Sequence, residues 1–159
     1  MVKNNTIYLN EISKIPQLTP EEEKVLATKV YSGDKSAKKK LIESNLRFVV
    51  KIANEYLGYM DLEDLINEGN IGLIHAAEKF NPSTGNKFIT YAVWWIRQSI
   101  LKAICERSRA IRLPLNRANE LVQIEKTKRI MELRDNVDPT PEEIAKELSM
   151  DKDLVKHLL

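Results

Sequence analysis

Residues 61–114 read DLEDLINEGNIGLIHAAEKFNPSTGNKFITYAVWWIRQSILKAICERSRAIRLP, and the spacing within this stretch decides the fold. Leu62, Leu65, Ile66, Gly69, Leu73, Ala76, Ala77 and Phe80 recur every three or four residues, the pattern of a helix with one buried face. Glu63, Asp64, Asn67, Glu68 and Asn70 fall elsewhere on that helix. Asn81-Pro82-Ser83-Thr84-Gly85-Asn86 is the clearest turn in the chain, rich in residues that favour turn geometry. A second helix begins at Lys87. At about 100° per residue, Ile89, Val93, Ile96, Ile100 and Ile104 form one stripe, sufficient for a core face. Lys87, Tyr91, Trp94, Gln98, Leu101 and Lys102 lie roughly opposite, with Phe88 and Trp95 on the flank.

Working outward, the chain reads as helix almost throughout. Glycine is scarce, proline sits at boundaries, and no segment alternates with a period of two. Helices are expected at about 20–32, 35–58, 62–79, 87–109, 115–134, 141–148 and 152–159. Thr19-Pro20-Glu21-Glu22 is a helix start with a capping box, and Thr140-Pro141-Glu142-Glu143 repeats it. Arg112-Leu113-Pro114-Leu115 ends the basic helix and opens a second domain. The expected fold is all-α: a compact central domain over 1–113 and a three-helix domain over 114–159.

Composition narrows the chemistry. The 159 residues carry 43% hydrophobic and 30% charged side chains and a formal charge of +2, a balance suited to a folded, soluble protein. No apolar run approaches the roughly 18 residues of a membrane span, and Met1–Asn10 lacks a signal-peptide core. The single cysteine, Cys105, excludes an internal disulfide and fits a reducing, cytoplasmic setting. With His75 and His157 as the sole histidines, there is no zinc spacing, Gly-rich phosphate loop or activated nucleophile. Neither an enzyme nor a cofactor or metal is expected.

The small net charge conceals two blocks of opposite sign. Between 61 and 80, Asp61, Glu63, Asp64, Glu68 and Glu78 face Lys79 alone. Between 83 and 117, Lys87, Arg97, Lys102, Arg107, Arg109, Arg112 and Arg117 face Glu106 alone. Five of the ten aromatics, Phe80, Phe88, Tyr91, Trp94 and Trp95, cluster at the entrance to the basic block. Cations beside ring faces suit single-stranded nucleic acid, whose backbone needs charge and whose unpaired bases stack. A core cluster is the plainer explanation of five aromatics. The stripe of branched residues speaks against it, because it leaves several rings on the outer face. The acidic block avoids phosphate and suits a basic protein partner or open solvent.

The quoted stretch resembles the central domain of bacterial RNA polymerase sigma factors of the sigma-seventy family, nearest to its primary members. NTIYLNEISKIPQLTPEEE (5–23) is similar to the segment before that domain, SNLRFVVKIANEY (44–56) to its first core helix, and NRANELVQIEKTKRIMEL and PTPEEIAKELSMDKDLVKHLL to the three-helix domain after it. The resemblance implies a promoter-specificity factor. Asp64, Asn67 and Glu68 would dock on a basic coiled coil of the largest polymerase subunit. Phe80, Lys87, Phe88, Thr90, Tyr91, Trp94 and Trp95 would engage the minus-ten element, with an unpaired adenine of the non-template strand near Tyr91. Trp94 and Trp95 would pack at the upstream edge of the bubble, with Gln98 and Leu101 on the last upstream base pair. Arg97, Lys102, Arg109 and Arg112 would serve the DNA backbone, and Asn45 and Arg47 would support the strand pocket.

Four positions depart from the family pattern. Asn86 stands where an aromatic is common, Leu101 where a polar or basic residue is common, and Asn116 and Asn119 where His and Glu read DNA upstream of the hexamer. Extended-element recognition is therefore not implied. The family's acidic N-terminal region, its linker and its minus-thirty-five-reading domain have no counterpart here, so a fragment or a short, phage-type member is expected. Two rival readings use the same residues. A helix-turn-helix regulator over 140–159 would act without polymerase, but Asp151 and Asp153 sit at the end that would meet DNA. A polymerase-binding scaffold would use only the acidic face. His75 has no evident partner in the sequence, and Lys38-Lys39-Lys40 reads as a solvated face.

Overall fold

The computed structural model describes residues 2–107 and 117–159, with side chains described at 6–106, at 117 and from 119 onward. Arg109, Arg112 and Asn116 lie outside the described residues, as does the expected domain boundary at 113. Among the described residues eight α-helices follow in order: α1 Val2–Ser13, α2 Pro20–Tyr31, α3 Lys35–Asn54, α4 Leu62–Lys79, α5 Phe88–Arg107, α6 Ala118–Asp135, α7 Pro141–Leu148 and α8 Lys152–Leu158. A 3-10 turn, Pro82–Thr84, joins α4 to α5. No strand occurs among the described residues. The protein is all-α. It divides into two compact units, Met1–Ser108 and Arg109–Leu159.

Local chemistry sets most of the helix ends. Thr19 Oγ1 accepts from the Glu22 amide at 3.2 Å while Glu22 Oε2 accepts from the Thr19 amide at 2.9 Å, so two orphan donors of α2 are satisfied reciprocally. Thr140 and Glu143 repeat that box at α7. Asp34 caps α3 by accepting from the amides of Ser36 and Ala37, and Asp151 caps α8 through Leu154. Helix α3 stops at Asn54 rather than near 58, because the chain turns through Tyr56 into Gly58 at φ 105°. Gly85, at φ 74°, closes the turn before α5. Helix α1 is absent from the sequence expectations. Its packing supplies the missing stabilisation: Ile12 is buried, and the Tyr8 hydroxyl accepts from Asn70 Nδ2 of α4 at 3.3 Å.

In the first unit α4 and α5 form the most extensive helix pair, with α3 laid against α4. Two glycines of α4 make this possible. A Cβ on Gly72 would stand 2.5 Å from the Trp95 carbonyl oxygen and 2.8 Å from Ile96 Cα; one on Gly69 would stand 2.6 Å from Val49 Cγ1. The α5 backbone therefore runs directly against α4, closer than any side chain allows. Leu41, Val49, Leu65, Leu73, Ile96, Ile100 and Ile104 fill the core between these helices. In the second unit Leu121, Ile124, Ile144, Val155 and Leu158 make a separate small core.

The buried stripe of α5 differs in phase from the expected one. Phe88, Ala92, Ile96, Ile100, Ala103 and Ile104 are buried, whereas Ile89 and Val93 are only half-buried. Both sets satisfy a 3.6-residue period. Phe88 fills the space beside Phe80, with ring centroids 5.4 Å apart, and that contact turns the Phe88 side of α5 inward.

Candidate nucleic-acid interface

Helix α5 presents to solvent a strip running from Lys87 through Thr90, Tyr91, Trp94 and Gln98 to Lys102. Steps of three and four residues align these positions on one face. Lys87, Thr90, Trp94, Gln98 and Lys102 are exposed, and Tyr91 and Trp95 are half-buried. Trp94 is 72% exposed, an unusual position for the largest apolar side chain, and it makes no ring contact among the described residues. From Tyr91 to Lys102 the strip extends about 17 Å at 1.5 Å per residue.

The remaining rings form a chain. Phe88 packs edge-on to Phe80, Phe80 lies 5.5 Å from Tyr91, and Tyr91 lies 6.2 Å from Trp95. His75 approaches Trp95 edge-on at 6.3 Å, and Lys79 Nζ stands 5.9 Å above the same ring. The inner rings thus hold the outer ones in place. Three of the expected contact residues are buried and do not reach the surface. Phe88 is fully buried, Phe80 is 6% exposed and Leu101 is 8% exposed. The displaced phase of α5 buries Phe88, and its C-terminal half, including Leu101, Ala103 and Cys105, is covered over a wide arc.

Arg97 is committed within the protein. Its guanidinium meets Glu55 Oε2 at 3.0 Å, and its Nε is buried without a hydrogen-bond partner. The Tyr56 phenol lies beside this pair. Burial pushes its pKa up, Arg97 pulls it down and Glu55 adds to the rise. This half-exposed ion pair links Glu55, the residue just past α3, to α5.

Two cavities flank the start of α5. One, about 190 Å³, is lined by Phe80, Asn86, Lys87 and Phe88 together with Pro20, Glu23 and Lys24. The other, about 440 Å³, is lined by Asn45, Arg47, Phe48, Lys51 and Ile89 together with Gln17 and Glu23. Asn45 and Arg47 thus line the same cavity as Ile89 of α5. Asn45 is buried with its Nδ2 donating to the Leu41 carbonyl at 2.8 Å. Glu23 was not singled out in the sequence. It forms a wall of both cavities, and its Oε1 accepts from the Phe88 amide at 2.9 Å. A carboxylate from α2 thereby caps α5 across 65 residues of chain, where the helix dipole favours negative charge. Glu23→Ala is expected to cost about 1 kcal/mol, the usual loss for an N-cap acceptor, read as a lower unfolding midpoint in urea.

The outer face of α4 carries the expected acidic residues. Asp64 and Asn67 are exposed and Glu68 is half-buried. Ile71 and Ile74 lie beside them at 46% and 38% exposure, two apolar side chains that the periodicity of α4 did not flag as a surface feature. Glu78, further along, pairs with Lys38 at 2.6 Å, and that hydrogen bond holds its carboxyl below the usual range. Lys38 is thus tied to α4. In the second unit Asn119 is exposed. The N-terminus of α8, with Asp151 engaged in capping and Asp153 exposed, presents negative charge where a recognition helix would need the opposite. No group of His, Cys, Asp and Glu suited to a metal ion occurs among the described residues, and no described helix is long and apolar enough to cross a membrane.

Fold and site define a helical protein with two dissimilar faces: acidic with exposed isoleucines on α4, cationic and aromatic on α5. Two family models match the chain, Sigma-70 factor, region 1.2 over residues 6–36 and Sigma-70 region 2 over 41–110, together more than half its length. A protein named RNA polymerase sigma factor SigA from Clostridium acetobutylicum is 47% identical over 154 residues, covering 96% of this chain and 41% of that protein. Another of the same name from Bacillus sp is 43% identical with the same coverage. The chain belongs to the sigma-70 family, and it spans about 41% of the length of these curated relatives.

Proposed function

We propose that this chain is the promoter-opening part of a transcription initiation factor. Core RNA polymerase binds the acidic face of α4 around Asp64, Asn67 and Glu68, with Ile71 and Ile74 adding apolar contact. The minus-ten element is then captured as single strand on α5, with unpaired non-template bases against Tyr91, Trp94 and Trp95 and phosphates near Lys87 and Lys102. Phe80 and Phe88 act from beneath as supports. The observation that carries this reading is Trp94, 72% exposed in the middle of a cationic strip.

The energetics are consistent with opening without nucleotide hydrolysis. Flipping a base out of the stack costs a few kcal/mol, and stacking on an aromatic returns about 1–3 kcal/mol per base. Capture of two or three bases offsets the unstacking once polymerase holds the duplex. With a net charge of only +2, the chain alone binds duplex weakly, because affinity for the backbone scales with the phosphates neutralised. A protein acting through tight duplex binding would need more positive charge than this.

The test is a forked promoter probe carrying a fluorescent base in the minus-ten element, with core polymerase and the whole chain. Opening is expected only when both proteins are present. Opening by the chain alone, or none with polymerase, would sink the proposal. A charge reversal on α4 separates the two faces: Asp64→Lys should lower polymerase affinity at least tenfold while the free protein keeps its helical content. Asp64→Asn should have a smaller effect in the same direction. Unchanged affinity in Asp64→Lys would remove α4 as the polymerase-binding face.

A further inference from the structure

The two adjacent tryptophans of α5 differ sharply in how they are held. Trp94 is 72% exposed and touches no other ring among the described residues. Trp95 is enclosed on three sides: Tyr91 at 6.2 Å from its own helix, His75 edge-on at 6.3 Å with planes at 72°, and Lys79 Nζ at 5.9 Å over the ring. His75 and Lys79 are four residues apart on α4, so they share one face. Both are exposed, and neither contributes to the core. A T-shaped pairing with an imidazole and an ammonium over the ring are both favourable contacts for an indole, whereas a residue serving only solubility gains nothing from lying there.

We propose that His75 and Lys79 are positioning residues that fix the Trp95 ring from α4, so that the helix bearing the polymerase-binding face also sets the geometry of the DNA-capturing face. This rests on the function proposed above. Trp95 is held in one orientation as a rigid wall, and Trp94 is left free to move onto the DNA. Removing the clasp lets Trp95 sample other rotamers and lowers the fraction of protein ready to receive the strand, which reduces apparent affinity by that fraction.

The clasp is first tested in the free whole chain with Trp94→Phe, where Trp95 is the one remaining indole. His75→Ala and Lys79→Gln should each weaken the near-ultraviolet circular dichroism of Trp95 and shift its emission, and His75→Phe, which restores a ring edge, should recover both. An unchanged Trp95 signal in His75→Ala would overturn the proposal whatever the chain's function. The second test uses the whole chain with native tryptophans, core polymerase and the forked probe. His75→Ala should lower opening about threefold to tenfold, the size of an edge-to-face aromatic contact, with polymerase affinity within about twofold of the parent. Trp95→Ala combined with His75→Ala should open no worse than Trp95→Ala alone. Additive losses, or a loss explained by weaker polymerase binding, would show that His75 acts other than through Trp95. Failure of the underlying function is read separately, as normal opening in Trp94→Ala.

Discussion

Replacing Trp94 with alanine is expected to reduce promoter opening about 5- to 150-fold, the equivalent of the roughly 1–3 kcal/mol gained by stacking one base, while leaving stability almost unchanged. The contrast is the informative part. A buried tryptophan truncated to alanine costs about 3–5 kcal/mol of folding free energy, but Trp94 is 72% exposed and its removal opens no cavity. Urea denaturation should give the parent midpoint within error, and core polymerase should bind the variant normally. Tyr91→Ala should also impair opening, yet with some loss of stability, because Tyr91 packs between Phe80 and Trp95. If Trp94→Ala opened the probe as the parent does, α5 would not be the strand-capturing element.

The other large effect concerns a residue with no side chain. Gly72→Ala should destabilise the first unit by about 1–3 kcal/mol, the range for overpacking a tight interior, and Gly72→Val by more. The added Cβ meets the Trp95 carbonyl oxygen at 2.5 Å and Ile96 Cα at 2.8 Å. Both are backbone positions, so no side-chain rotation relieves the clash, and α5 has to move away from α4. Since the segment displaced carries Trp94 and Trp95, opening should fall even where the variant remains folded. Gly69→Ala is the comparison: its first contact is the Val49 side chain at 2.6 Å, which can adjust more than a helix backbone. Thermal and urea unfolding of the two variants should rank Gly72→Ala as the more damaged. Equal, negligible losses would mean that the α4–α5 approach is looser than described.

These two expectations explain why burial and function are interlocked on α5. Its inner side must lie flat against α4 for the outer side to present rings, and the contact is made where Gly72 of α4 meets the α5 backbone at Trp95 and Ile96. Buried Phe88 and Phe80 transmit that registration to Tyr91 through ring contacts of 5.4 and 5.5 Å. The Glu23 cap ties the start of the same helix to α2, so the aromatic strip is set from three directions.

Periodicity and capping chemistry in the sequence were sufficient for the all-α class, for α2 to α8 and for most of their ends, because an apolar stripe and a cap are properties of residues near one another in the chain. The opposed acidic and cationic blocks were legible for the same reason, and the family followed from the motifs of 61–114. What required the folded structure was each feature that depends on residues far apart in sequence. Helix α1 has little pattern of its own and is held by Ile12 and by Tyr8 on Asn70. The sequence placed Ile89 in the core stripe of α5 and Phe88 on its flank; a 3.6-residue period fits both, and the packing of Phe88 against Phe80 selects the other phase. That same decision moved Phe88 and Leu101 off the surface. Glu23 reaches α5 across 65 residues, and His75 finds its partner on another helix. Local patterns report which face a helix buries; only packing between helices determines how far each is rotated, and therefore which rings reach the solvent.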